Sequence, residues 1–102
     1  MKLSVKGELP DTPRNLMRRM GYGEIFDSKT SHISYVRRLS RGHYPRLHAY
    51  VDDIEGGISI NLHLDQKKAS YEGQTAHSGE YDGKLVKAEI ERLKYELARL
   101  AG

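Results

Sequence analysis

The 102-residue chain contains no cysteine and no tryptophan, and it has only one phenylalanine and three prolines. Without cysteine it cannot form disulfides, thiolate metal sites or a cysteine nucleophile, which excludes disulfide-rich domains and zinc ribbons. No run approaches the ~18 consecutive apolar residues of a transmembrane helix. The first six residues lack the apolar stretch of a signal peptide. We therefore expect a cytoplasmic protein that does not bind membranes.

Apolar residues are also scarce, at 37% of the chain, whereas charged residues reach 30% and the mean hydropathy is −0.71. Globular domains usually hold ~45–50% apolar residues, so the core of this protein must be thin. A second domain would lack a core of its own. The length and composition together predict a single compact domain over residues 1–102.

Positive charge is concentrated in the first half of the chain. Residues 1–46 contain ten Lys/Arg and four Asp/Glu, a net charge of +6, whereas residues 47–102 contain seven Lys/Arg and ten Asp/Glu, a net charge of −3. Such asymmetry indicates a polyanionic partner. The alternative is a solvated basic surface that pairs with the acidic half.

Two segments have helical periodicity. The segment 13–20 begins at Pro13, after the candidate N-cap residues Asp11 and Thr12, and Gly21 is typical of a helix end. The segment 84–100 carries an apolar stripe typical of a helix packed on a sheet, formed by Val86, Ile90, Leu93, Leu97 and Leu100. Short strands are predicted over 2–6, 22–26 and 32–39. The alternation in 32–39 is imperfect, and its buried face stays unassigned.

The region 46–65 predicts a β-hairpin. Both 46–52 and 58–65 alternate strictly between apolar and polar residues, and Gly56 and Gly57 lie in the turn between them. A turn centred on Glu55 and Gly56 sets His48 opposite His63. The same register sets Arg46 opposite Asp65, Tyr50 opposite Asn61 and Asp52 opposite Ser59. All the apolar residues then share one face, and a slip of one residue would destroy that match.

These elements predict an α+β fold. We expect an antiparallel sheet of three to four strands with two helices packed on one face. The opposite face would carry the polar residues of the hairpin.

A histidine-based site is one hypothesis for that polar face. Opposed residues have Cβ atoms ~4.5–5.5 Å apart, so His48 and His63 become neighbours, with Asp65 beside them. His77, in the aperiodic segment 66–82, would be a third imidazole. These four residues are candidate ligands of a divalent metal such as zinc, or candidate acid–base residues without a metal. They are also compatible with solvent-facing histidines that do no chemistry.

Nucleic-acid binding is the other hypothesis, with RNA favoured. Basic side chains would neutralise phosphates, and tyrosines among them would stack on unpaired bases. The candidate residues are Arg37, Arg38, Arg41, Tyr44, Arg46, Tyr50, Lys67, Lys68 and Tyr71.

The sequence thus predicts a small RNA- or polyanion-binding module as the leading function. The first alternative is a phosphodiester hydrolase, metal-dependent or histidine-based, that uses His48, His63, Asp65 and His77. The second alternative is a protein–protein adaptor or a small toxin-type protein. The chain would be a monomer or a weak dimer through its C-terminal helix, whose apolar spacing also suits a helix–helix seam.

Overall fold

A computed structural model of the chain describes residues 1–66 and 83–102. Within these two ranges the chain forms five strands and two helices. In chain order they are β1 (Lys2–Lys6), α1 (Pro13–Arg19), β2 (Gly23–Asp27), β3 (His32–Arg38), β4 (Arg46–Ile54), β5 (Gly57–Asp65) and α2 (Lys84–Ala101). Neither described helix is both long and apolar enough to span a membrane.

The strands form one antiparallel sheet in the order β1-β5-β4-β3-β2. The α+β class and the antiparallel arrangement are confirmed, but the predicted number of three to four strands was too low. All five predicted strand segments enter the sheet, where each has an antiparallel neighbour for its backbone groups. β1 extends the sheet beside β5, and its residue Leu3 becomes part of the core.

The predicted hairpin register is confirmed. His48 lies opposite His63, Arg46 opposite Asp65 and Tyr50 opposite Asn61 in the β4–β5 ladder. The register is fixed by burial, because Leu47, Ala49, Ile58, Ile60, Leu62 and Leu64 all lie on one buried face. Their polar neighbours along each strand consequently point to the other face.

Helix α1 has the termini that its sequence predicts. The Thr12 hydroxyl accepts a hydrogen bond from the Asn15 N–H at 3.2 Å, which satisfies one of the free donors of the first turn. Beyond the helix, Gly21 has a φ of +96°, a left-handed conformation that glycine adopts without strain. The left-handed conformation at Gly21 ends the helix and directs the chain into β2.

Both helices pack on the apolar face of the sheet. A single core cluster joins the buried side chains of the helices to those of the strands. From the helices it receives Leu16, Met17, Val86, Ile90, Leu93 and Leu97. The prediction of the α2 stripe is confirmed at these positions.

One charged residue, Glu89, lies buried beside that core. Its carboxylate accepts hydrogen bonds from the Tyr22 hydroxyl and from the Arg92 guanidinium, whose Nε is 2.7 Å from Oε1. Arg92 also donates to the Met20 carbonyl at 2.7 Å, and Arg37 on β3 lies 3.7 Å from the same carboxylate. The network therefore ties α2 to the end of α1 and to the sheet.

Candidate functional site

The second face of the sheet is polar, and we call it the open face. Helices α1 and α2 contribute their apolar side chains to the other face. Four adjacent strands supply the polar residues of the open face: Lys2, Ser4, Lys6, Ser34, Arg38, Arg46, His48, Tyr50, Asp52, Ser59, Asn61, His63 and Asp65. The antiparallel register brings residues far apart in sequence into contact here.

Asp65, at the end of β5, is the centre of the site. Its Oδ2 lies 2.7 Å from His48 Nδ1 and 3.2 Å from Arg46 Nε. Its Oδ1 lies 3.0 Å from His63 Nε2. One carboxylate therefore bonds three cationic or protonatable side chains, which we call the Asp65 cluster.

His48 extends this cluster to a third strand. Its Nε2 lies 2.8 Å from the hydroxyl oxygen of Ser34 on β3, and both residues are buried. Because an ionised carboxylate only accepts hydrogen bonds, His48 Nδ1 donates to Asp65. In the neutral ring Nε2 then accepts from the Ser34 hydroxyl. The tautomer of His48 is thus set by its two neighbours.

The pKa values of the cluster reflect burial and charge acting together. Burial alone would raise the pKa of Asp65, but hydrogen bonds from His48 and Arg46 outweigh it and hold that pKa below its ordinary value. Partial burial lowers the pKa of His63, although the Asp65 carboxylate acts in the opposite direction. The cluster therefore favours an ionised Asp65 beside a neutral His63 imidazole.

Three flat rings are packed beside the carboxylate. His48 and Tyr50 are stacked with centroids 4.6 Å apart, and Tyr50 and His63 are stacked at 5.5 Å. The centroids of His48 and His63 are 5.0 Å apart. We call these three residues the ring cluster. Tyr50 is its exposed member, with 40% of its surface accessible to solvent.

Comparisons of the chain with protein families, curated proteins and solved structures give no significant match. Its function must therefore be argued from the site itself.

The structure brings most of the hairpin candidates together. His48, His63 and Asp65 meet as the register predicts, and Arg46 joins them through Asp65. Tyr44 lies beneath Arg46, with its ring centroid 4.7 Å from the guanidinium carbon. On the neighbouring strand, Arg38 pairs with Arg46 in the register and is exposed on the same face.

Other candidates lie elsewhere. Arg37 points to the helix-covered face, where it contacts Glu89, because consecutive residues of a strand alternate between faces. Arg41 is exposed in the loop between β3 and β4. Four candidates fall outside the described residues: Lys67, Lys68, Tyr71 and His77.

Ser34 is the site residue that the sequence did not reveal. It lies on β3, whose facing the imperfect alternation left open. The pairing of Tyr35 with Ala49 decides the question, because it turns Tyr35 into the core and Ser34 towards His48. A buried Tyr35 is the signal that would have placed Ser34 on the open face.

Proposed function

We propose that the open face binds single-stranded RNA. The observation that carries this proposal is the ring cluster, in which an exposed Tyr50 is stacked against His48 and His63. A flat side chain held in place by two neighbouring rings needs little further ordering when a base stacks on it. Base–aromatic stacking contributes ~1–3 kcal/mol per base in single-strand binding proteins.

Basic side chains on both sides of the ring cluster support the same function. Arg38 and Arg46 lie on the β3 and β4 side, and Lys2 and Lys6 are exposed on β1 at the other edge. β1 and β4 are separated only by β5, and neighbouring strands lie ~4.7–4.9 Å apart. A strand of RNA that stacks on Tyr50 would thus have cations for its phosphates on either side.

Removal of the exposed ring tests the proposal. We expect Tyr50→Ala to weaken binding of a fluorescent oligouridine about tenfold, because one stacking contact is lost. Tyr95→Ala is the matched control, since Tyr95 is exposed on α2 away from the open face. Fluorescence anisotropy at low salt gives both affinities. Equal affinity of Tyr50→Ala and the parent chain, with both proteins folded, would refute the stacking role.

Phosphodiester hydrolysis is a second candidate for the same face. One ligand atom from each of His48, His63 and Asp65 lies within 4.8 Å of the others, a compact set that could hold a divalent metal. Two imidazoles and a carboxylate suit zinc or iron. Arg46, bonded to Asp65, would then lie close to a bound phosphate. An adaptor or small toxin-type role stays a prediction of the sequence.

The hydrolase candidate is tested with bis(p-nitrophenyl) phosphate, in the presence of zinc and after chelation. We expect His63→Ala to abolish release of nitrophenol, whereas His43→Ala should retain it because His43 is exposed in the loop between β3 and β4 and outside the Asp65 cluster. Activity that needs zinc identifies the metal-dependent form, and activity that survives chelation identifies the histidine-based form. Unchanged turnover in a folded His63→Ala protein, or no turnover by the parent chain, rejects the hydrolase.

A further inference from the structure

Ser34, His48 and Asp65 form a continuous hydrogen-bonded chain. The Ser34 hydroxyl lies 2.8 Å from His48 Nε2, and the Asp65 carboxylate lies 2.7 Å from His48 Nδ1. The serine and the carboxylate therefore bond opposite nitrogens of one imidazole. This connectivity lets a histidine take a proton from a serine while a carboxylate stabilises the resulting imidazolium.

Asp65 is itself held in position. Arg46 and His63 bond its two oxygens from different sides, so the carboxylate cannot rotate away from His48 without breaking one of these bonds. The stacked Tyr50 further restricts the His48 ring. Hydrogen bonds at the ring nitrogens and stacking on the ring plane thus both fix the orientation of the His48 imidazole.

The same pair, Ser34 and His48, lines an open pocket of about 500 Å³ beside the β2–β3 turn. Ile25 and Phe26 give this pocket an apolar wall, and Lys29 and His32 give it polar groups that can donate hydrogen bonds. A serine that is bonded to a base and also faces a pocket can meet a small molecule. Because the Asp27 carboxylate also lines the pocket, its surroundings fit an uncharged substrate with a short apolar group.

We propose that Ser34 is the nucleophile of an acyl-transfer site that hydrolyses small carboxylic esters in this pocket. Ser34 Oγ attacks the carbonyl carbon and gives its proton to His48 Nε2. The bond from that carbon to the alkoxide oxygen then breaks, and the alkoxide leaves as an alcohol with the proton from His48. Lys29 and His32 are the donors that we assign to the negative charge on the carbonyl oxygen.

The second half of the cycle hydrolyses the acyl group and regenerates the free Ser34 hydroxyl. Water attacks the acyl carbon on Ser34 and gives its proton to His48 Nε2. The bond between the acyl carbon and Ser34 Oγ breaks, a carboxylic acid leaves, and Oγ recovers the proton from His48. This activity uses the β2–β3 pocket and does not depend on RNA binding.

Labelling with phenylmethylsulfonyl fluoride tests the nucleophile without knowledge of the substrate. The Ser34 oxygen forms a bond to sulfur, the sulfur–fluorine bond breaks, and hydrogen fluoride is released. We expect one sulfonyl group per chain, located on Ser34 by peptide mass spectrometry. Ser34→Ala should lose the label, whereas Ser59→Ala should keep it, because Ser59 is an equally buried serine on the open face.

His48→Gln tests whether the imidazole activates the serine. We expect its labelling rate to fall at least tenfold, while circular dichroism verifies the fold; Asp65→Asn replaces this variant if the first is unfolded. Absence of label on Ser34 in the folded parent chain overturns the proposal, as does equal labelling of several serines. An unchanged rate in the folded histidine or aspartate variant also overturns it. Lys2→Glu should weaken RNA binding but be labelled at the parent rate, because Lys2 lies on β1 and does not line the pocket; this proposal and the proposed RNA binding therefore fail separately.

Discussion

At the residue scale, the buried carboxylate of Glu89 constrains how α2 packs on the rest of the fold. Burial alone would raise the pKa of Glu89, but hydrogen bonds from Arg92 and Tyr22 outweigh it and hold that pKa below its ordinary value of 4.5. Burial raises the pKa of the Tyr22 hydroxyl, and its hydrogen bond to Glu89 raises that pKa further. The carboxylate is therefore ionised at neutral pH, and its partners come from α2, from β3 and from the connection between α1 and β2.

Loss of this charge should destabilise the protein. Glu89→Gln leaves Arg92 and Arg37 without their counter-charge, and we expect the free energy of unfolding to fall by about 2–3 kcal/mol. Urea denaturation monitored by circular dichroism measures the change. Glu91→Gln is the control, because Glu91 forms an exposed ion pair with Lys94 on the same helix and should change stability little.

The stabilisation by Glu89 should also depend on pH. Because the folded pKa lies below 4.5, the unfolded chain binds the proton first as the pH falls. The contribution is fully present above 4.5 and is lost as the pH falls through the folded pKa. The stability difference between the parent chain and Glu89→Gln should therefore shrink in acid. A difference that stays constant down to pH 3 would contradict this assignment.

Single residues were predictable from the sequence only where periodicity fixed their direction. Strict alternation in the hairpin placed His48, His63 and Asp65 side by side, and the structure has them there. Glu89 precedes Ile90 on the edge of an apolar stripe, and no spacing indicates that Tyr22 and Arg92 would enclose it. Such partners come from distant elements, so only the tertiary fold assembles them.

At the scale of elements, the sheet depends on close contact between β1 and β5. Lys6 pairs with Gly57 at the start of β5, and a Cβ atom at Gly57 would overlap the Val5 carbonyl. The turn itself relies on Gly56, which has a φ of +77°. The sequence indicated both glycines as turn residues, but Gly57 is required because a neighbouring strand approaches its backbone.

A methyl group at Gly57 should push β1 away from β5. We expect Gly57→Ala to lower the free energy of unfolding by about 1–3 kcal/mol, the usual cost of an overpacked site. Hydrogen exchange of the β1 amides should increase more than that of β4. Gly42→Ala is the control, since a Cβ there meets only ordinary contact distances. Equal stability of the two variants would show that β1 can adjust.

At the scale of the whole molecule, the net charge of +3 hides a strongly basic first half. That half supplies Lys2, Lys6, Arg38 and Arg46 to the open face. RNA binding should therefore weaken as salt rises. For three phosphate contacts, the affinity should fall about 20-fold between 50 and 200 mM salt, given a slope of ~0.7 per phosphate on single strands.

Two charge reversals separate local from overall electrostatics. Lys2→Glu and Lys87→Glu give the same net charge, but Lys2 is exposed on β1 and Lys87 is exposed on α2. We expect Lys2→Glu to reduce the salt slope by about one phosphate contact and Lys87→Glu to leave it unchanged. The same slope in both variants would place the RNA elsewhere on the protein.

Arg37 and Arg38 are consecutive, yet the pleat of β3 directs Arg37 to Glu89 of α2 and Arg38 to solvent on the opposite face of the sheet. Arg37 thus helps to attach α2 to the sheet, while Arg38 places a positive charge on the open face. A shift of β3 by one residue would reverse the faces of Arg37 and Arg38 and would turn Ser34 away from His48. A change in the register of β3 would therefore alter the polar face of the sheet and the attachment of α2 at the same time.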